Sequence, residues 1–180
     1  RFFLTKPQIL DNLELIKKNI PLIDWKDKFQ YGISLLGGEI YFMQDKDYQE
    51  SFLDLIDIII EKVLKVSNNP NCKYSSVTNG MYNPEFLYKV INRIVEKVGI
   101  EKVDLNFSFD LKYRFKSEKA MQQVLDNINA FHNRYDYRVG VQMILTQYLI
   151  DMWKNNTFNV TDFISEKIPG NMICFLYPHP

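Results

Sequence analysis

The chain has 180 residues, 46% of them hydrophobic and 14% aromatic, enough apolar material for one sizeable core in a single domain spanning residues 1–180. Its 22 basic residues balance 22 acidic ones at a formal net charge of zero, so bulk charge points neither to nucleic acid nor to an anionic membrane surface. The longest apolar run, residues 53–66, is broken by Asp54, Asp57, Glu61, Lys62 and Lys65, whereas a membrane-spanning helix needs about 20 apolar residues.

The opening residues, Arg1-Phe2-Phe3-Leu4-Thr5-Lys6, contain no initiating methionine, no apolar stretch of signal-peptide type and no small-residue cleavage site. They are expected to lie inside a longer chain and not to form a leader. Cys72 and Cys174 are far apart and belong to no CxxC or Cys/His cluster. That usage fits a reducing compartment, so the cytoplasm is the expected location.

In chain order, Thr5-Lys6-Pro7-Gln8 has the form of a capping box, and Ile9, Leu13, Ile16 and Ile20 follow at helical spacing. These predict a first helix over Lys6–Asn19 that Pro21 stops. Residues 29–36 read as a buried strand running into Gly37-Gly38. Phe52, Leu55, Ile56, Ile59, Ile60 and Val63 mark a second helix, and Ser67-Asn68-Asn69-Pro70-Asn71 is a loop by composition. A strand over Lys73–Thr78 ends at Asn79-Gly80. A third helix then begins at Asn83-Pro84 with Asn83 as its cap, buries Leu87, Val90, Ile91, Ile94 and Val98, and stops at Gly99.

Residues 103–109 alternate with period two and predict a third strand. Ser117 caps a fourth helix with Met121, Val124, Ile128 and Phe131 on its core face. The β-rich stretch 137–145 follows, then short helices over Gln147–Lys154 and residues 160–166, the Pro169-Gly170 turn and a strand over Met172–Leu176. Strands alternate with helices, no hairpin signal separates neighbouring strands, and the connections are long enough for crossovers. The expected fold class is α/β with a parallel sheet.

In such sheets the ligand site lies beyond the carboxyl ends of the strands. Those ends supply Gly37-Gly38-Glu39, Thr78-Asn79-Gly80, Ser108 and Asp110, Thr146 and Gln147, and Tyr177 and His179. Paired glycines let a ligand approach the backbone, and a following carboxylate can hold an ammonium group, so Gly-Gly-Glu suits an amino-acid head group. Taken alone, such a pair between strand and helix is more often just a turn. Period-two alternation puts Asn106, Ser108 and Asp110 on one face of their strand and packs Phe107 and Phe109 on the other.

A strand ending in Gly-Gly-Glu, a helix, a strand ending in Thr-Asn-Gly, a helix and a strand carrying Ser-Phe-Asp together resemble the central portion of the radical S-adenosylmethionine superfamily, over nearly the whole chain. The resemblance implies a partial (β/α) barrel lacking its first strand. It implies that Gly37, Gly38 and Glu39 bind the methionine amino group of S-adenosylmethionine, and that Asn79 lies at the floor of the site. Ser108 or Asp110 would meet the ribose hydroxyls, with Lys112 or Arg114 near the methionine carboxylate. Gln142, in a strand that departs from the family's glycine-rich pattern, and Tyr177 would stand at the adenine.

The family's Cys-x3-Cys-x2-Cys motif, which holds a 4Fe–4S cluster through three thiolates, is missing, and neither Cys72 nor Cys174 can replace it. The expectation is that the missing strand and cysteine loop lie upstream of Arg1. The implied enzyme would cleave S-adenosylmethionine reductively to a 5′-deoxyadenosyl radical and act on a small-molecule or peptide substrate, with electrons from a reductase or flavodoxin-type donor. The alternative is a cluster-free α/β binding or interaction module on the same scaffold. Plainer roles attend several residues: His132 at a helix end meets helix carbonyls, Cys72 and Cys174 are a free thiol and a small core residue, and Trp25, Tyr31, Tyr41 and Phe42 fill cores. The basic and aromatic stretch 112–116 is either a solvated loop or a carboxylate contact.

Overall fold

Helix α1 (Lys6–Asn19) starts where Gln8 Oε1 accepts from the Thr5 N–H at 2.8 Å and from Thr5 Oγ1 at 3.1 Å, so the reciprocal cap expected from these residues is formed. The computed structural model describes residues 4–26, 32–35, 39–109, 117–144, 146–157, 159–168 and 172–176. The chain is α/β with a parallel sheet. It divides into two compact units, one formed by Arg1–Ser76 with Asn83–Asp104 and the other by Val77–Tyr82 with Leu105–Pro180. Among the described residues no helix is long and apolar enough to cross a membrane.

In the first unit, strand β1 (Gly32–Leu35) lies parallel to β2 (Lys73–Thr78), with Ser34 opposite Ser75 and Leu35 opposite Ser76. The ends of the predicted strand, at residues 29–31 and 36, lie outside the described residues. Helix α2 (Lys46–Ile59) runs on into a π-turn over Ile60–Leu64. Phe52, Leu55, Ile56, Ile59, Ile60 and Val63 are all buried, as their spacing predicts. Asp45 caps the helix by accepting from the Tyr48 N–H at 3.0 Å, and its other oxygen meets Lys6 at 2.7 Å, tying the start of α1 to that of α2.

Helix α3 (Glu85–Val98) buries Leu87, Val90, Ile91 and Ile94, and Phe86 as well. The helix is bounded one residue later than expected, with Pro84 before its first residue, and Asn83 Oδ1 accepts from the Glu85 N–H at 3.1 Å, the bond expected of a capping side chain. Gly99, at φ 90°, ends the helix in a conformation that a side chain would strain. Asp57 of α2 pairs with both Arg93 and Lys97 of α3, on a partly exposed flank where such pairs add little stability.

In the second unit, β3 (Val103–Ser108), β4 (Gly140–Ile144) and β5 (Met172–Leu176) lie parallel and in chain order. Helix α4 (Glu118–Tyr135) begins at Ser117, whose Oγ accepts from the Ala120 N–H at 3.2 Å, and it buries Val124, Leu125, Ile128 and Phe131. Met121, predicted on the same face, is only half-buried. Helices α5 (Gln147–Lys154) and α6 (Val160–Lys167) complete the unit. The α6 end is held by Asn129 Nδ2, which donates to the Lys167 carbonyl at 2.9 Å.

The burial pattern implies a contrast that urea unfolding checks. Ile91→Ala, at 0% exposure, is expected to cost about 2–5 kcal/mol. Leu22→Ala, at 79% exposure, should cost less than about 0.5 kcal/mol.

Candidate functional site

The pleat sorts the strand residues into two faces. Along β2 the side chains of Tyr74, Ser76 and Thr78 are buried and those of Lys73, Ser75 and Val77 only partly so. Along β3 Val103, Leu105 and Phe107 are buried, and Phe109 just beyond the strand is too, while Asp104 and Ser108 are half-buried. Apart from Val77 these half-buried residues are polar, and Asn106, between Asp104 and Ser108 on its strand face, is buried. In the first unit Ser75 Oγ donates to Asp104 Oδ2 at 3.0 Å. In the second, Asn106 lies opposite Gly140 and Ser108 opposite Gln142, and in-register neighbours share a face of the sheet. The expected grouping of Asn106 with Ser108 is therefore extended by Gln142 across the strand pair.

In the first unit, Glu39 follows β1 and is half-buried. Its Oε1 accepts from the Tyr41 N–H at 3.4 Å, and its carbonyl accepts from the Phe42 N–H at 3.4 Å. The next residues are anchored. Tyr48 Oη donates to the Ile40 carbonyl at 3.0 Å. The fully buried Tyr41 shares hydrogen bonds with Tyr74 Oη at 2.9 Å and Ser76 Oγ at 2.6 Å. The Tyr41 ring packs against Phe52 of α2 and Phe86 of α3, with both centroids at 6.4 Å. Burial pushes the Tyr74 hydroxyl up from 10.0 to about 12, opposed by its bonds to Tyr41 and Ser76. Burial also raises Tyr48, with smaller contributions from the charges of Tyr74 and Glu39.

In the second unit, the Thr78-Asn79-Gly80 loop is held from several sides. Thr78 Oγ1 accepts from the Gly80 N–H at 3.2 Å and shares a 2.6 Å bond with Tyr82 Oη. Asn79 Oδ1 accepts from the Met81 N–H at 2.8 Å, an Asx turn. Asn127 Nδ2 of α4 donates to the carbonyls of Gly80 at 2.8 Å and Tyr82 at 3.1 Å. Gly80 has φ 65°, and a Cβ there would meet the Phe107 ring at 2.9 Å. At Gly140 a Cβ would collide with Asn106 Oδ1, so the Asn106 amide occupies the space over that glycine.

Of the expected site residues, Glu39 belongs to the first unit, and Asn79, Ser108 and Gln142 to the second. Gly37, Gly38, Asp110, Lys112, Arg114 and Tyr177 lie outside the described residues, as do Tyr31 and His179. Cys72 is a free thiol, as expected, but a buried one at 1% exposure. His132 Nδ1 lies 3.1 Å from the carbonyl of Tyr137, which is beyond the end of α4 and not one of the helix carbonyls expected as its partners. Buried polar partners that sequence reasoning passed over are Ser76, Tyr74 and Tyr82. Ser76 and Thr78 share parity with Tyr74 along β2, and that alternation was the available signal.

The resemblance implies two groups, S-adenosylmethionine and an iron–sulfur cluster. In the first unit, the carboxylate after β1 suits an ammonium group; in the second, the Ser108 hydroxyl at the end of β3 lies opposite the Gln142 amide within β4, a pair that suits hydroxyl groups. An iron–sulfur cluster does not fit, because among the described residues no group of three His, Cys, Asp or Glu could hold a metal ion and the chain has only two cysteines. A shallow cleft of about 70 Å³, lined by Gln44, Gln49, Asn83, Glu85, Phe86 and Lys89, contains none of the expected residues. It is also far smaller than the roughly 300–1,000 Å³ of ligand pockets.

No family model and no curated protein matches the chain.

Two outcomes follow from this geometry. Gly80→Ala is expected to destabilise the fold by about 1–3 kcal/mol, through the positive φ and the Phe107 contact, as read by urea unfolding. The raised Tyr74 hydroxyl keeps its proton in the folded state after the unfolded chain has begun to lose it. Its contribution to stability is therefore fully present below pH 10.0 and is lost as the pH rises through about 12. Unfolding at a series of alkaline pH values, followed by tyrosinate absorbance, checks this; a flat stability across that window would contradict it.

Proposed function

We propose that the chain is the cofactor-binding core of a radical S-adenosylmethionine enzyme, a partial (β/α) barrel whose first strand and cluster ligands lie outside this sequence. The observation that carries the reading is Glu39, a half-buried carboxylate that follows β1 and the glycine pair on a backbone tied down through Ile40 and Tyr41. A carboxylate so held suits a ligand ammonium, because its orientation is settled before the ligand arrives and charge-assisted hydrogen bonds gain most in that case.

Parallel strands that neighbour one another in chain order within each unit are what a (β/α) barrel would contribute. On this reading Glu39 of the first unit binds the methionine ammonium. Bound S-adenosylmethionine would supply a cleavable carbon–sulfur bond. The residues described here orient it and hold no cluster, so no cleavage step is assigned to them. A small-molecule or peptide substrate and a reductase or flavodoxin-type donor belong to the same reading for a chain that includes the cysteine motif.

Isothermal titration of the chain with S-adenosylmethionine tests it. Binding is expected, and Glu39→Ala should weaken it about tenfold or more, the scale of a lost hydrogen bond to a charged group. Equal affinity in the variant removes Glu39 from the site, and no binding by the unsubstituted chain sinks the proposal.

A further inference from the structure

In the first unit, the residue two beyond Glu39 is tied to the middle of β2 by buried hydroxyls. Tyr41 Oη bonds to Tyr74 Oη at 2.9 Å and to Ser76 Oγ at 2.6 Å, so that it joins the two β2 hydroxyls. All three residues are at 0% exposure. Hydroxyls sealed from water must find protein partners, and a mutually satisfied set has few alternative arrangements. The lock reaches Glu39 through the backbone, because the Tyr41 N–H donates to the Glu39 carboxylate. Tyr48 braces the intervening residue by donating to the Ile40 carbonyl.

We propose that Tyr41 is the positioning residue of the acidic loop: anchored to Tyr74 and Ser76 on β2, it holds the Glu39 carboxylate ready for a ligand ammonium, so that this hydroxyl set determines how sharply the site prefers an amino-acid head group. The inference rests on the ligand reading proposed for Glu39. It assigns Tyr41 no contact with the ligand, and Tyr41→Phe probes it. The ring and its packing against Phe52 and Phe86 remain, while Tyr74 and Ser76 lose the hydroxyl that both bond to.

The test has two arms on the full 180-residue chain, with Ser76→Ala as a second variant should Tyr41→Phe fold poorly. In the first arm, amide hydrogen exchange is compared over residues 39–45. Both variants are expected to exchange about tenfold faster there, the scale of one lost buried hydrogen bond, with α3 unchanged. In the second arm, binding of S-adenosylmethionine is compared with binding of an analogue lacking the α-amino group and with binding of adenosine. The preference for the amino-bearing ligand is expected to fall at least about fivefold in the variants, with adenosine affinity unchanged. Unaltered exchange over residues 39–45 overturns the proposal. So does an unaltered preference in a variant whose loop has loosened, or an equal loss of adenosine binding, which marks general damage. If the unsubstituted chain shows no preference, the assignment of Glu39 fails, and with it the determinant of specificity proposed here; the exchange arm then reports separately on the anchoring.

Discussion

Three hydroxyls are enclosed in the apolar layer of the first unit, and their need to satisfy one another constrains the rest of that unit. Tyr41, Tyr74 and Ser76 are all fully buried, and the Tyr41 hydroxyl bonds to both of the others. An orphaned hydroxyl in that setting costs several times what a satisfied one contributes. The loop after β1, the middle of β2 and the aromatic residues Phe52 and Phe86 of α2 and α3 must therefore keep their mutual arrangement. The apolar burial along α2 and α3 supplies the driving force, at about 1.5–3 kcal/mol for each fully buried large side chain. The hydroxyl set supplies direction, because dispersion alone would tolerate a slipped loop.

The second unit solves a similar problem with amides. Asn127 spans two carbonyls of the 78–82 loop, and Thr78 and Tyr82 close that loop on itself. Asn106 occupies the space over Gly140, which couples the polar face of β3 to the absence of a side chain on β4. These arrangements set the strand ends on fixed backbone, and a rigid support is what a binding loop needs. They also bear on the plainest reading of the Thr-Asn-Gly segment. Asn79 Oδ1 serves its own turn, so the structural contribution of this residue stands whatever the loop binds.

Much of the fold was legible because it follows from local rules. The Thr5/Gln8 cap, the 3.6-residue spacing in α2 to α4, the Ser117 cap and the alternation in β2 and β3 depend on residues close in sequence, and α1, β2, α5 and β5 fall where those signals put them. The opening of α3 falls one residue later than the sequence puts it, while the Asn83 side chain binds the Glu85 N–H as a capping residue does. Part of the candidate site was legible too: Ser108 with Asn106 on one face follows from period two, whereas Gln142 joins them through a strand register that no local rule contains.

Local chemistry thus settles where the helices and strands run, which face of each is apolar, and that the strand ends carry carboxylate, hydroxyl and amide groups. Tertiary structure decides which of those polar groups are enclosed and by what. Tyr41 reads in the sequence as one more aromatic residue for a core, and Ser76 as one of two adjacent serines. Their pairing joins residues from different elements, so it depends on loop closure and strand register, which are global properties of the folded chain. The same holds for Gly140, whose missing Cβ matters only because Asn106 on the neighbouring strand takes its place.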